Sequence, residues 1–126
     1  MVELNHTIVR VRDKQASARF YAGVLGLDDP ATFGPFQVVE TANGVSLDFA
    51  DDHGEVHPQH YAFLVSEDEF DAIFGRIREL GLDYWADPGK RRPGEINRHD
   101  GGRGMYWHDP DGHRLEIITR PYGSSG

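Results

Sequence analysis

Asn5-His6-Thr7-Ile8-Val9-Arg10-Val11 and Gln59-His60-Tyr61-Ala62-Phe63-Leu64-Val65 state one pattern twice, and that repetition decides the fold. The two histidines lie 54 positions apart. Downstream, Val24-Leu25-Gly26-Leu27-Asp28 is echoed by Glu79-Leu80-Gly81-Leu82-Asp83, with the glycines 55 positions apart. The closing run His113-Arg114-Leu115-Glu116-Ile117-Ile118 sets an acid inside an apolar strand. Two histidines and one carboxylate on strands point to a metal site built across an internal duplication.

Working outward, Leu4 to Val11 alternates in the period of a β-strand, with His6 on the side of Leu4 and Ile8. Asp13 suits a helix N-cap, and Ala16, Phe20, Val24 and Leu25 recur at helical spacing up to Gly26. Gln37 to Glu40 and Val45 to Phe49 read as strands around the Asn43-Gly44 turn. The second half repeats the order. His60 to Val65 is a strand, and Ser66-Glu67-Asp68-Glu69 is a capping box. Phe70, Ile73, Phe74, Ile77 and Leu80 form the apolar stripe of the helix that follows. Asp87 to Gly102 is polar and rich in glycine, hence mostly loop. Gly104 to His108 and Arg114 to Thr119 are strands joined by Asp109-Pro110-Asp111-Gly112. Counting a short strand near Leu82 to Trp85, each half reads βαβββ.

The expectation is therefore an α+β domain over residues 1–121, with modules at about 1–56 and 57–121. The modules pair into one curved mixed sheet enclosing a metal-binding cup. Residues 122–126 read as a flexible tail.

A chain of 126 residues can bury a core unaided. Its net charge of −8 argues against general affinity for nucleic acid or an anionic membrane. No cysteine is present, which excludes disulfides, thiolate metal sites and cysteine nucleophiles. No signal-peptide pattern opens the sequence and no stretch is apolar enough to span a bilayer, so a cytoplasmic location is expected.

The chain resembles the vicinal oxygen chelate superfamily, which includes glyoxalase I, bleomycin-resistance proteins, fosfomycin-modifying transferases and extradiol dioxygenases. The resemblance rests on Leu4-Asn5-His6 followed by Ala18-Arg19-Phe20-Tyr21 and Leu25-Gly26-Leu27. It continues through His60-Tyr61-Ala62-Phe63 and Tyr106, Asp109-Pro110-Asp111-Gly112-His113 and Leu115-Glu116. It implies a divalent metal held by His6, His60 and Glu116. Two imidazoles and a carboxylate suit Fe(II), with Mn, Zn or Ni as alternatives. Singly, each histidine could instead be a satisfied core residue, and Glu116 the partner of an arginine. Glyoxalase I carries a further glutamate on the last strand of its first module; here Ser46 or Asp48 occupies that region, and both stay open.

Asn97-Arg98-His99, Met105-Tyr106, Asp109-Pro110-Asp111-Gly112 and Glu116 together resemble the extradiol dioxygenase signature. That implies catalytic roles for His99 and Tyr106, since a catechol must lose protons to chelate a metal. The plainer alternatives are a solvated loop histidine and a core aromatic. Lys90-Arg91-Arg92 reads as a solvated loop, and His53, His57, His108 and His113 as surface residues near turns.

The function implied is an extradiol-type dioxygenase acting on a catechol-like small molecule, with a homodimer expected. The alternatives are a glyoxalase-like lyase or isomerase, a thiol transferase, or a bleomycin-type binding protein. Ile8 and Gly104 stand where the fosfomycin transferases carry a threonine and a serine, which weighs against thiol transfer.

Overall fold

The computed structural model describes residues 1–124, in two compact units, 1–57 and 58–124. The first unit contains β1 (His6–Val11), α1 (Lys14–Leu25), β2 (Ala31–Phe33), β3 (Phe36–Glu40) and β4 (Ser46–Asp51). The second contains β5 (His60–Leu64), α2 (Glu67–Glu79), β6 (Tyr84–Trp85), β7 (Gly104–His108) and β8 (Arg114–Ile118). Both units are βαβββ and the class is α+β, as the repeat predicts. The strands form two four-stranded mixed sheets, one per unit, ordered β1-β4-β3-β2 and β5-β8-β7-β6.

The helix boundaries follow from side-chain chemistry. The Asp13 carboxylate accepts from the backbone N–H groups of Gln15 and Ala16, satisfying donors that the first turn of α1 leaves orphaned. Gly26 closes α1 at φ 71°, a left-handed conformation that costs glycine little. At α2 the capping box is complete. Ser66 Oγ accepts from Glu69 N at 3.1 Å, and Glu69 Oε1 accepts from Ser66 N at 2.8 Å.

The period of two divides each sheet into a face packed with the apolar core and an opposite, more polar face. In the first unit Val9, Val11, Val39, Leu47 and Phe49 are buried, and α1 covers that face with Ala18, Tyr21, Ala22 and Val24. Tyr21 meets Phe49 edge-on at 4.7 Å between ring centroids. In the second unit Met105, Trp107, Leu115 and Ile117 are buried, as are Phe70, Ile73 and Ile77 of α2. Phe74 of α2 reaches Tyr84 of β6 at 5.2 Å. The opposite faces carry the histidines and the carboxylate. Among the described residues no helix is long and apolar enough to cross a membrane.

Candidate metal centre

Strand register places the second unit's polar residues on one face. β5 and β8 run parallel with His60 opposite Arg114 and Ala62 opposite Glu116. β7 runs antiparallel to β8 with Tyr106 opposite Glu116 and His108 opposite Arg114. β6 adds Trp85 opposite Tyr106. Directly opposed residues point to the same side, so His60, Glu116, Tyr106, His108 and Trp85 share the face turned away from α2.

Glu116 is only 1% exposed, and both of its oxygens have partners. Oε1 lies 3.0 Å from His60 Nε2, and Oε2 accepts a hydrogen bond from the Tyr122 hydroxyl. The Tyr106 and Tyr122 hydroxyls are 3.1 Å apart. A phenol has one proton to donate. Tyr122 spends its proton on Glu116, so Tyr106 donates to Tyr122. The His60 and Tyr106 rings lie nearly parallel, 6.1 Å apart. Burial, then the hydrogen bond to Tyr122 and the nearby Glu116 carboxylate, push the Tyr106 hydroxyl well above the usual phenol range. Burial and Glu116 likewise raise Tyr122. Both phenols are therefore neutral and hydrogen-bonded at ordinary pH.

The His60–Glu116 pair fits a divalent ion. Two donors at right angles, each about 2.1 Å from one ion, stand about 3.0 Å apart. That is the observed separation of Nε2 and Oε1. A buried carboxylate facing an imidazole nitrogen is also the donor chemistry such an ion prefers. Among the described residues no three His, Cys, Asp or Glu side chains gather into a complete ligand set. The second unit by itself thus offers two donors.

The other expected residues fall as follows. His6 is exposed at the start of β1, and its Nδ1 lies 2.7 Å from Asn5 Oδ1. It is opposite Ser46 on β4, whose hydroxyl donates to Asp48 Oδ1 at 2.9 Å. His99 is exposed on a 3-10 turn, His99–Gly101, where its backbone N–H donates to Asn97 Oδ1. Among the described residues its ring is not hydrogen-bonded to His60 or Glu116.

Several readings change. His113, expected at the surface, is 1% exposed. Its Nδ1 accepts from Gln59 N at 2.9 Å, which fixes the backbone next to His60. Asp109 is buried as well, and its carboxylate accepts from Asp111 N and His113 N, so the Asp-Pro-Asp-Gly turn is a structural pin. Lys90, Arg91 and Arg92 are exposed, as expected of a solvated loop, and the Lys90 ammonium stands 4.9 Å from the Trp85 ring centroid. Arg103 bonds Glu67 and Asp71 of α2 and stacks on Phe70, which ties β7 to that helix. Tyr122 carried no sequence signal. It follows Pro121 and precedes Gly123-Ser124, and only the fold brings it to Glu116. Ser125 and Gly126, the rest of the expected tail, lie outside the described residues.

The family model of the Glyoxalase/Bleomycin resistance protein/Dioxygenase superfamily matches residues 3–117. The chain is 32% identical over 120 residues to a glutathione transferase FosA of Serratia marcescens, covering 90% of this chain and 78% of that protein. It is 30% identical over 122 residues to a metallothiol transferase FosB of Shouchella clausii (strain KSM-K16), covering 92% of this chain and 79% of that protein. Among solved structures it is similar to Oxidase ChaP-H1, with 70% identity, a TM-score of 0.96, and coverage of 98% of this chain and 99% of that one. Oxidase ChaP-H2 is 67% identical with a TM-score of 0.96, covering 99% of this chain and 98% of that one.

Proposed function

The chain belongs to the glyoxalase, bleomycin resistance protein and dioxygenase superfamily, and from that premise we propose that it is a metal-dependent dioxygenase of the extradiol type. The observation that carries the reading is the 3.0 Å spacing of His60 Nε2 and Glu116 Oε1 on the sheet face turned away from α2. The 70% identity to a protein named an oxidase supports oxygen chemistry over other reactions of the superfamily. The substrate class is a catechol-like vicinal diol.

His60 and Glu116 would hold the ion, with His6 as third ligand, from this chain or from a second copy in a homodimer. Fe(II) is the proposed metal, with Mn, Zn or Ni as alternatives. When bound, iron supplies Lewis acidity toward the diol oxygens and electrons for dioxygen. The protein's own groups handle the rest. His99 is the proposed acceptor of a substrate proton. Tyr106 is too strongly held in its neutral form to act as a base, so it orients substrate through a lone pair of its hydroxyl. Trp85, on the same face, offers an apolar wall for an aromatic ring.

The test is anaerobic reconstitution with Fe(II), then oxygen uptake with a panel of catechols, comparing wild type with His60→Ala. Uptake with a yellow ring-cleavage product, lost in the variant, supports the proposal. Stoichiometric metal binding without uptake turns the reading to the second class, thiol transfer, which the FosA and FosB similarities favour. Against that class stands Gly104. A Cβ there would lie 2.9 Å from Asn97 Oδ1, so the transferases' serine would require the Asn97 amide to move. Incubation with a divalent metal, fosfomycin and a thiol, followed by thiol titration, decides it.

A further inference from the structure

We infer that Tyr122 is a positioning residue of the metal site, holding Glu116 as a ligand through one oxygen only. The inference rests on the metal reading above. The terminal torsion of a glutamate is broad and roughly two-fold, so an unrestrained carboxylate can present one oxygen or both to an ion. Here the two oxygens are made inequivalent. Oε1 faces His60 Nε2 at 3.0 Å, while Oε2 is engaged by the Tyr122 hydroxyl. Tyr122 is in turn fixed by Tyr106, whose hydroxyl lies 3.1 Å away.

Three side chains from successive C-terminal segments thus form one directed chain, Tyr106 to Tyr122 to Glu116. Tyr106 stands on β7 and Glu116 on β8, while Tyr122 comes from the segment after β8. That segment is itself braced. Ser124 N donates to Pro121 O, and the Arg120 guanidinium donates to Ser124 O at 3.1 Å. An oxygen occupied by a phenol proton is withheld from the ion. Coordination positions that a two-oxygen carboxylate would take stay available for a substrate presenting two oxygens of its own. Partners of this kind behind a ligand typically change metal affinity by about 10- to 100-fold when removed.

Tyr122 is 61% exposed and lies outside both cores, so Tyr122→Phe should fold as wild type does. The experiment titrates metal-free wild type, Tyr122→Phe and His60→Ala with Co(II) alone. It reads affinity by chelator competition, the visible absorption of bound Co(II), and the melting temperature of each metal-free protein. Tyr122→Phe is expected to bind Co(II) about 10- to 100-fold more weakly. Its Co(II) spectrum should be altered, while the metal-free variant still unfolds cooperatively, with at most the modest loss expected of one hydrogen bond to a buried carboxylate. Equal affinity with an unchanged spectrum overturns the inference and leaves the metal reading standing. Tighter binding also overturns it, because the hydroxyl would then compete with the ion. A wild type that takes up no Co(II) overturns the metal reading and this inference with it.

Discussion

Glu116 and Asp48 occupy the same position in the two copies of the fold. Glu116 is opposite Ala62 on β5, two residues beyond His60, and Asp48 is opposite Ile8 on β1, two residues beyond His6. Their surroundings differ. Glu116 is almost completely buried with one oxygen on His60. Asp48 is half-buried and accepts from Ser46 Oγ. The duplication therefore preserved an acid in both sheets and left only one of them beside an imidazole nitrogen of its own sheet. Glu116→Gln, which keeps the volume and removes the charge, is expected to weaken metal binding by more than about 100-fold, beyond the cost of losing a supporting partner. Asp48→Asn should stay within about tenfold of wild type. Isothermal titration with Mn(II) measures both, and a larger loss for Asp48→Asn would make that residue a ligand.

Gly104 marks where the Asn97 side chain crowds the space a Cβ would take. Asn97 and Gly104 exchange backbone hydrogen bonds at 2.9 and 3.0 Å, and Asn97 Nδ2 donates to Ala86 O at 2.8 Å. A Cβ on Gly104 would sit 2.9 Å from Oδ1 and 3.0 Å from Nδ2 of that anchored amide. Gly104→Ser is expected to cost about 1–3 kcal/mol in urea denaturation, the usual penalty of overpacking. It should confer no thiol transferase activity. A neutral substitution would show that the Asn97 bridge yields easily.

The capping box of α2 gives a prediction independent of the site. Ser66→Ala removes the acceptor for Glu69 N and leaves that first-turn donor to water. The cost should be about 1 kcal/mol at unchanged denaturant slope, measured by urea unfolding. A loss below a few tenths would mean that the ties from Arg103 to Glu67 and Asp71 hold the helix start without the cap.

Much of this was legible because local signals agreed with the fold. Asp13, Gly26, Ser66 and Glu69 each announce a helix end through a backbone group that needs a partner. The repeat placed the histidines and Glu116 on strands. What was not legible depends on tertiary contact. Ala31–Phe33 forms a strand although all three residues are exposed, so it has no alternation to read. His113 looks like a turn residue in sequence, and only the pairing of β5 with β8 brings Gln59 N to its ring. Tyr122 sits among tail-like neighbours, and its role exists only because the chain turns back to Glu116.

His108 supplies the pH dependence. Its ring lies 5.2 Å from Trp85, in a half-buried position opposite Arg114. Burial, then the charges of Lys90 and Arg114, hold its pKa below the ordinary histidine value of 6.5, against a smaller opposing pull from Asp109. The unfolded chain therefore binds a proton that the folded chain resists. Stability rises with pH wherever the unfolded state carries more protons. The His108 contribution is fully present above 6.5 and is lost as pH falls through the lower, folded value. His108→Gln keeps a polar side chain that does not titrate. Melting temperatures recorded from about pH 5 to 8, the range over which histidine titrates, are expected to decline less toward acid in the variant than in wild type. The difference should narrow in Lys90→Gln, which removes the stronger of the two repelling charges. Parallel curves for wild type and His108→Gln would show that His108 titrates alike in the folded and unfolded chains.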